Sequence, residues 1–463
     1  MNKQEIARKS IVKYVLIIYW MLIFEGAFRK WFFPEYHQII FFLRDPIVLL
    51  VYIITLRNRI VKRDALLTAG IIISLVFIPL IFLQVLITKI NILTLIYGWR
   101  MYFFYLPLAF VIKDTFHHED IYKLIRQTLY VSIPLSVLAY IQFISPPTSF
   151  INQGYSSFEV FTVTVGIVRT TGTFTFTSGQ TMYAASLMAM LVFAWLYRKR
   201  YSLLSLPWLM VTTGTAMTTL LLTGSRTAFF MTGIIIVATF IGLMFTNETK
   251  LKANGTFLLI FLILVGILMS LGPLKKSIDA IGSRFEASQV SEGNPIFRAI
   301  APFIVFTSHI TTTPLLGHGL GLTSGGGSTL ATGKASWLLA EDDWSRNIVE
   351  AGPGFGILYI FYRMVFTVIL ARRCINAAAK DNNVLPMILF GFIGYYLLAG
   401  QIASVGVFQG YTWIFVGLVM AAATKKQHNE TAQPISVPSY PNIIGSDHMV
   451  IYKDTQSNPI TLG

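Results

Sequence analysis

The sequence is poor in charged residues, in acidic residues especially, and in cysteine. Asp, Glu, Lys and Arg make up 12% of its 463 residues, whereas soluble domains carry about 25%. With 54% hydrophobic residues and a mean hydropathy of +0.65, the chain lacks the polar groups needed to cover a soluble surface. Its single cysteine, Cys374, excludes an intramolecular disulfide and a multi-cysteine metal site. These shortages exclude intrinsic disorder, a disulfide scaffold and a soluble nucleic-acid-binding protein.

The chain has long apolar runs instead. About 12 of them have the roughly 20 residues that a helix needs to cross a bilayer. They lie near residues 11–28, 39–56, 65–87, 92–112, 127–145, 176–197, 203–223, 227–246, 254–272, 352–371, 384–401 and 404–423. The sequence therefore predicts an all-α fold, a polytopic bundle of about 12 transmembrane helices.

The basic residues indicate how this bundle is oriented. If the N-terminus is cytoplasmic, the inner segments hold far more Lys and Arg than the short outer loops, which is the positive-inside pattern. The net charge of +15 is then mostly a consequence of topology, and nucleic acid is not an expected partner. No small-residue cleavage site follows the first apolar run, so we expect the first span to remain as an anchor. The predicted location is a bacterial inner membrane, with several passes and both termini cytoplasmic.

Two outer segments interrupt the apolar pattern. Residues 1–272 are predicted to form spans one to nine with an outer loop at 145–180, and 273–350 a large periplasmic loop. Spans ten to twelve follow in 351–423, and the polar residues 424–463 are predicted to be a flexible cytoplasmic tail. A long structureless loop is uncommon, so we predict a helix in it from Phe297 to Ser308. No internal repeat is visible, which disfavours a transporter built from two similar halves.

The Arg44-Asp45-Pro46 tripeptide breaks the second apolar run. Proline suits the first turn of a helix and aspartate suits its cap, so a helix is predicted to begin at Pro46. The residues from Ile39 to Leu43 would form a short preceding segment at the outer interface. An ion pair between Arg44 and Asp45 would account for both charges.

Several arginines are predicted at or near the outer face. They are Arg100, Arg169, Arg226, Arg298 and Arg346. Guanidinium groups form bidentate bonds to phosphate oxygens, so together these residues are candidates for binding a diphosphate. The alternative is that each one separately snorkels to the interface or caps a helix.

An acidic triplet precedes the tenth span. Glu341 and Asp342 are candidates for a general base that takes a proton from a sugar hydroxyl, and the alternative is a cap for the helix that follows. His309 and His318 are other candidate bases, although a single loop histidine is more often structural. No residue spacing typical of a metal site is present, so we expect no metal cofactor.

Four motifs together resemble the O-antigen ligase/polymerase (Wzy-like) family. In order they are Gly172-Thr-Phe-Thr-Phe, Leu222-Thr-Gly-Ser-Arg-Thr-Ala-Phe, Pro314-Leu-Leu-Gly-His-Gly-Leu-Gly and Asn347-Ile-Val-Glu-Ala-Gly-Pro-Gly-Phe-Gly. The resemblance covers residues 165–370. The opening Glu25-Gly-Ala-Phe-Arg-Lys-Trp-Phe-Phe-Pro is similar to relatives involved in exopolysaccharide synthesis.

This resemblance implies a GT-C-like inner-membrane enzyme with a periplasmic active site. Such enzymes move a glycan from undecaprenyl diphosphate to an acceptor without a metal. Arg226 matches the family arginine thought to bind the diphosphate, and Arg169 lies near a second such position. The ligases carry a His-Asn pair where this chain has Glu341-Asp342, which disfavours a lipopolysaccharide ligase and is compatible with a polymerase.

We therefore predict a Wzy-type polysaccharide polymerase. Arg226, with Arg169 and Arg298, would hold the diphosphate of a lipid-linked oligosaccharide, and Glu341 or Asp342 would act on the acceptor hydroxyl. Membrane lipid and polysaccharide-export proteins would be its partners. The alternatives are a ligase with another acceptor, or a transporter or flippase of lipid-linked sugars. Arg100 and Arg363 would favour the transporter if both lined one continuous cavity.

Overall fold

The described part of the chain is helical throughout. The computed structural model describes residues 3–154, 168–249, 302–333, 340 and 342–424. Within these residues there is no β-strand, so the predicted all-α fold class is confirmed for them. The predicted span at 254–272, the tail from residue 425, Arg298 and Glu341 lie outside the described residues.

Sixteen α-helices are found in the described residues. The first seven are α1 (Lys3–Ala27), α2 (His37–Phe42), α3 (Arg44–Arg57), α4 (Ala65–Thr88), α5 (Ile92–Phe103), α6 (Leu106–Thr115) and α7 (His118–Ile144). A π-helical turn (Phe28–Phe32) and a 3-10 turn (Pro34–Tyr36) connect α1 to α2, and a second 3-10 turn (Phe150–Asn152) follows α7. The others are α8 (Thr177–Leu196), α9 (Arg198–Tyr201), α10 (Leu206–Leu222), α11 (Arg226–Phe245), α12 (Pro302–Thr312), α13 (Gly325–Thr332), α14 (Asp343–Asp381), α15 (Leu385–Ala399) and α16 (Gly406–Ala422).

Eight helical segments among the described residues are long and apolar enough to cross a membrane. They are Lys3–Phe32, Pro34–Arg57, Ala65–Thr88, Ile92–Thr115, His118–Ile144, Thr177–Leu196, Arg226–Phe245 and Asp343–Asp381. Three shorter apolar helices, α10, α15 and α16, coincide with further predicted spans. The structure is therefore compatible with a membrane protein, and the number of crossings and their orientation stay predictions. In the predicted large loop, α12 covers residues 302–308 of the helix predicted from Phe297 to Ser308, and residues 297–301 lie outside the described residues.

Side-chain contacts group the helix termini into two ends of the bundle. At the first, which we call the Asp64 end, Lys113 and Arg373 reach Asp64. The segments predicted as cytoplasmic around residues 57–63, 113–126, 198–200 and 372–380 belong to this end. At the other, which we call the Gly172 end, the loop 168–176 contacts the ends of α1, α7 and α10.

The start of α3 differs from the prediction. The helix begins at Arg44 rather than Pro46, and the short segment before it forms α2. The predicted pair between Arg44 and Asp45 is wrong, because neighbouring residues on a helix point about 100° apart. Arg44 pairs with Glu25 of α1, and Asp45 pairs with Arg100 of α5.

Gly352 divides α14 into two antiparallel arms. Its backbone lies at φ 81° and ψ 164°, a region essentially reserved for glycine. The arm at 343–351 therefore folds back on the arm at 353–381. The backbone of Gly356 lies so close to Asn347 that a Cβ added to Gly356 would be 2.7 Å from the Asn347 carbonyl oxygen. This reversal places the polar residues of the short arm beside Arg363.

A substitution at Gly352 tests the reversal. We expect Gly352→Ala to lower the melting temperature strongly and to reduce the monodisperse fraction in detergent. The added Cβ would be strained at this φ and would overlap the Leu315 carbonyl oxygen. Gly354→Ala is the matched control, because nothing lies within 4 Å of a Cβ at that position. Equal melting temperatures for the two variants would contradict the reversal.

Asp64 joins three helices at its end of the bundle. One carboxylate oxygen accepts the Leu66 amide and caps α4, and the other lies 2.7 Å from the Lys113 Nζ and 3.5 Å from an Arg373 guanidinium nitrogen. Burial alone would raise the pKa of Asp64. The hydrogen bonds from Lys113 and Leu66 and the charge of Arg373 outweigh burial and hold this pKa below its ordinary value.

This shift predicts how stability depends on pH. A carboxyl group with a lowered folded pKa stabilises the protein above its unfolded pKa, about 3.9, and the stabilisation is lost as pH falls through the folded pKa. Asp64→Asn keeps a good cap but removes the charge, whereas Asp64→Ala also loses a cap worth about 1 kcal/mol. At pH 7 we expect the melting temperature to be highest for wild type, lower for Asp64→Asn and lowest for Asp64→Ala. The difference between wild type and Asp64→Asn should shrink below about pH 4; a difference independent of pH would contradict this account.

Candidate functional site

The loop 168–176 is fixed in place by polar side chains from two helices. Lys30 lies in the π-helical turn that follows α1 and is 3% exposed; it donates to the Thr171 hydroxyl at 2.9 Å and to the Gly172 carbonyl at 2.8 Å. Gln142 of α7 accepts the Gly172 amide at 2.8 Å and donates to its carbonyl at 3.1 Å. Buried polar groups of a loop need such partners, so the loop has a defined position at the Gly172 end.

The same loop brings two of the predicted arginines into adjacent segments. The Thr170 hydroxyl donates to the Leu222 carbonyl at 2.9 Å, where α10 ends. Arg169 precedes Thr170, and Arg226 begins α11 four residues after Leu222. Both arginines are half-buried, and both interact with other groups of the protein. The structure therefore places Arg169, in the loop 168–176, and Arg226, the first residue of α11, in neighbouring segments of the Gly172 end.

A second group of arginines surrounds the ring of Phe41. The guanidinium carbons of Arg29, Arg44 and Arg100 lie 5.4, 5.5 and 5.1 Å from the centroid of this ring. These distances are within the range of cation–π attraction. The three side chains come from the π-helical turn after α1, from α3 and from α5, so the ring joins three parts of the chain. We call these residues and their carboxylate partners the Phe41 cluster.

Two carboxylates compensate the three arginines of the Phe41 cluster. Glu25 lies between two of them, with its Oε2 2.6 Å from the Arg44 Nε and its Oε1 3.3 Å from the Arg29 Nη1. Asp45 accepts two bonds from Arg100, at 2.9 and 2.6 Å. These ion pairs bring three guanidinium groups and two carboxylates together in a buried region.

Arg100 is engaged by protein groups on all sides. Besides its two bonds to Asp45, it donates to the Gln409 side-chain oxygen at 3.2 Å. The Gln409 amide donates back to the carbonyls of Arg100 and Met101 at 2.8 and 2.6 Å. A diphosphate at Arg100, as the sequence predicted, would have to displace Asp45.

The remaining predicted residues lie on the short arm of α14. Asp342 caps this arm: its Oδ1 accepts the Ser345 amide at 2.8 Å and its Oδ2 accepts the Ser345 hydroxyl at 2.6 Å. The alternative role of a helix cap is thereby shown, and the role of a general base stays a prediction. Arg346 donates to the Ala340 carbonyl and the Ser404 hydroxyl at 2.9 and 2.8 Å.

Arg363 forms a buried ion pair with Asp343. The two residues are 0% and 1% exposed at their side chains, and the Asp343 Oδ2 also accepts from the Asn347 amide at 3.3 Å. Arg363 donates further to the carbonyls of Leu397 and Gly400, at 2.8 Å each, where α15 ends. Arg363 therefore fixes the turn 400–405 between α15 and α16.

Glu350 anchors the glycine-rich loop 317–324 through uncharged hydrogen-bond donors. Its Oε1 accepts the Thr323 amide at 2.7 Å and the Thr323 hydroxyl at 2.5 Å, and its Oε2 accepts the Tyr102 hydroxyl at 3.0 Å. Gln84 adds bonds to the Leu316 carbonyl at 2.6 Å and from the Leu320 amide at 3.0 Å. Such donors make a buried carboxylate compatible with its surroundings, because they replace the hydrogen bonds that water would supply.

Sequence reasoning missed several of these roles. It did not assign a function to Glu25, Gln84, Glu350 or Gln409, although all of these except Glu350 are polar residues inside predicted apolar spans. That signal was available, since polar residues in such segments need partners. His309 lies in the last turn of α12, and His318 lies in the loop anchored by Glu350.

The described residues contain no group of three His, Cys, Asp or Glu side chains that could hold a metal ion. No protein-family model matches the chain, and no curated protein matches it. The class that the fold and these clusters define is an all-helical protein with membrane-length apolar helices and buried charge clusters at one end. Its likeness to the O-antigen ligase/polymerase family stays a prediction that rests on the ordered motifs.

The anchor at Glu350 gives a prediction for the glycine-rich loop. Glu350→Gln is expected to speed proteolytic cleavage within residues 317–324. The glutamine NH₂ would replace one carboxylate oxygen and would face Thr323 or Tyr102, a hydrogen-bond donor that it cannot accept from. Glu350→Ala should speed it further. Limited proteolysis with mass spectrometry measures the cleavage rate, and Glu248→Gln, at the Asp64 end, is the control. Unchanged cleavage in both Glu350 variants would contradict the anchoring role.

Proposed function

We propose that the protein is a membrane glycosyltransferase, a Wzy-like polysaccharide polymerase. It transfers a glycan from undecaprenyl diphosphate to a lipid-linked repeat unit at the periplasmic face of the inner membrane, without a metal. The observation that supports this best is the position of Lys30, Arg169 and Arg226. All three belong to the Gly172 end, opposite the segments predicted to be cytoplasmic.

A diphosphate suits this arrangement of cations. Guanidinium groups bind phosphate oxygens in pairs, and partial burial strengthens the attraction because less water screens it. Arg169 lies in the loop 168–176 and Arg226 at the start of the neighbouring α11, so we propose that one diphosphate is held between them. Arg298 completes the proposed set, and Arg346 donates to the hydroxyl of Ser404 in the turn 400–405.

The proposed reaction is a substitution at the anomeric carbon. The acceptor oxygen forms a new bond to the anomeric carbon. At the same time the bond between this carbon and the diphosphate oxygen breaks, and the diphosphate leaves with the electron pair. The acceptor proton passes to a carboxylate base. Since both oxygens of Asp342 already accept bonds from Ser345, we assign this role to Glu341. The arginines stabilise the negative charge that develops on the leaving group.

The alternatives gain less support from the contacts. A transporter would need Arg100 and Arg363 along one path, and both are held in ion pairs, with Asp45 and Asp343 respectively. A ligase would use the same donor site with a different acceptor. The product distinguishes a ligase from a polymerase, since a ligase links finished glycan to a protein or another lipid.

The test is the polymer made by cells that carry Arg226→Ala at normal membrane levels. We expect a loss of about two orders of magnitude in rate, and therefore short chains, because one phosphate contact is lost in the transition state. Arg372→Ala is the matched control, since Arg372 is exposed at the Asp64 end. Gel electrophoresis of extracted polysaccharide measures the chain length.

The outcomes separate the three functions. Wild-type polymer from Arg226→Ala would reject the polymerase. Normal polymer length with loss of glycan attachment at the reducing end would favour the ligase. Movement of a lipid-linked sugar across liposomes that contain the purified protein, without new glycosidic bonds, would favour the transporter.

A further inference from the structure

The segment that carries Phe41 has little hold on the rest of the protein. It consists of the 3-10 turn Pro34–Tyr36 and α2, and neither element contains a buried residue. Ile39 is 63% exposed; Phe42 is 42% exposed, although its ring also packs 6.1 Å from that of Tyr97 and lies 5.7 Å from the Arg100 guanidinium carbon. Burial of apolar area is the main force that fixes a segment. We call residues 33–43 the strap.

Phe41 seats the strap on the glycine face of α16. Its ring lies so close to Gly406 that a Cβ there would be 2.5 Å from the ring Cε2. The same ring is the centre of the Phe41 cluster, within 5.5 Å of three guanidinium carbons. An apolar ring therefore occupies a place that three cationic groups surround.

Arg44 shows that this cluster is not satisfied by its own residues. Its side chain is fully buried, and its Nη1 and Nη2 have no hydrogen-bond partner in the described part of the chain. Glu25, beside the Nε, is its one ion-pair partner there. The two terminal nitrogens lie against α16, where Gly410 and Gly406 would bring a Cβ to 3.1 and 3.6 Å from them. Buried guanidinium N–H groups without acceptors are costly, and oxygen atoms of an anion would satisfy them.

We propose that the Phe41 cluster is a covered binding site for a phosphate group, and that Phe41 is its removable cover. When the strap moves outward, the ring leaves a space bounded by Arg29, Arg44 and Arg100. The Arg44 Nη1 and Nη2 lack acceptors in the described part of the chain, and the oxygen atoms of an anion would supply them. Arg100 keeps its two bonds to Asp45 and lines the space. Guanidinium groups match the geometry of phosphate oxygens.

The outward face of the strap indicates where the phosphate comes from. Its exposed apolar side chains suit contact with lipid tails, so a phosphate carried on a lipid would meet the strap first. A polyprenyl diphosphate has this chemistry. The inference deepens the proposed function in this respect and rests on it for the choice of lipid, whereas phosphate binding itself does not depend on it.

The test measures binding to the full-length protein in lipid nanodiscs. Inorganic pyrophosphate is one probe, and undecaprenyl diphosphate added to the nanodisc lipid is the other. Phe41→Ala removes the cover, so we expect its dissociation constant for pyrophosphate to be at least about tenfold lower than in wild type, because the site no longer has to open first. Ile39→Ala, on the same strap but outside the cluster, should leave affinity unchanged.

A second variant shows whether the anion binds at Arg44. Adding Glu25→Gln and Arg44→Gln to Phe41→Ala removes an ion pair as a unit, and we expect the gained affinity to be lost. Binding of both probes supports a site for the headgroup alone, and binding of the lipid only supports a site that also needs its tail. No gain in Phe41→Ala over Ile39→Ala, or a gain that persists without Arg44, would overturn the proposal.

A labelling experiment covers the case in which the combined variant does not fold. In a Cys374→Ser background, Phe41→Cys places a thiol at the site and Ile39→Cys places one beside it. Pyrophosphate should slow maleimide labelling at position 41 at least about threefold and leave position 39 unchanged. Equal labelling with and without pyrophosphate would overturn the proposal. These assays report binding only, so a failure here and a failure of the Arg226 polymer assay are separate results.

Discussion

The cost of burying charge governs the architecture of the Gly172 end. A buried arginine that loses its carboxylate costs about 3–5 kcal/mol, so each one constrains where a partner helix lies. Glu25 and Arg44 fix α1 against α3, and Asp45 and Arg100 fix α3 against α5. Apolar packing alone would let these helices slide or rotate against each other. The pairs give the bundle a defined register.

Two kinds of cation share this end of the molecule. Arg100 and Arg363 are held by carboxylates within helices, and their donors are largely consumed by protein groups. Lys30, Arg169 and Arg226 lie in or beside loops, and the Lys30 ammonium donates to Thr171 and Gly172. The first kind supports the scaffold, and Arg169 and Arg226 are the two that we assign to the proposed donor. Arg44 combines both properties, because it has a carboxylate at one nitrogen and none at the others.

The sequence predicted what depends on local pattern. Every predicted span that lies in the described residues is helical. The breaks between helices at residues 223–225 and 400–405 lie close to the predicted ends of the apolar runs. It failed where the outcome depends on tertiary partners. Arg44 and Asp45 are adjacent in the chain, yet a helix directs them to different neighbours, and no periodicity reveals which. The helix expected after the acidic triplet is present, but its reversal at Gly352 was missed because a glycine's positive φ is invisible in composition.

The contacts of α16 have a consequence for biogenesis. Arg44 emerges from the ribosome early, but Gly406 and Gly410, against which its guanidinium packs, are synthesised more than 360 residues later. Gln409, which closes the other side of Arg100, arrives at the same late moment. Until α16 has been synthesised, the early helices therefore have their charges incompletely enclosed. Assembly of this end is completed only after nearly the whole chain has been translated.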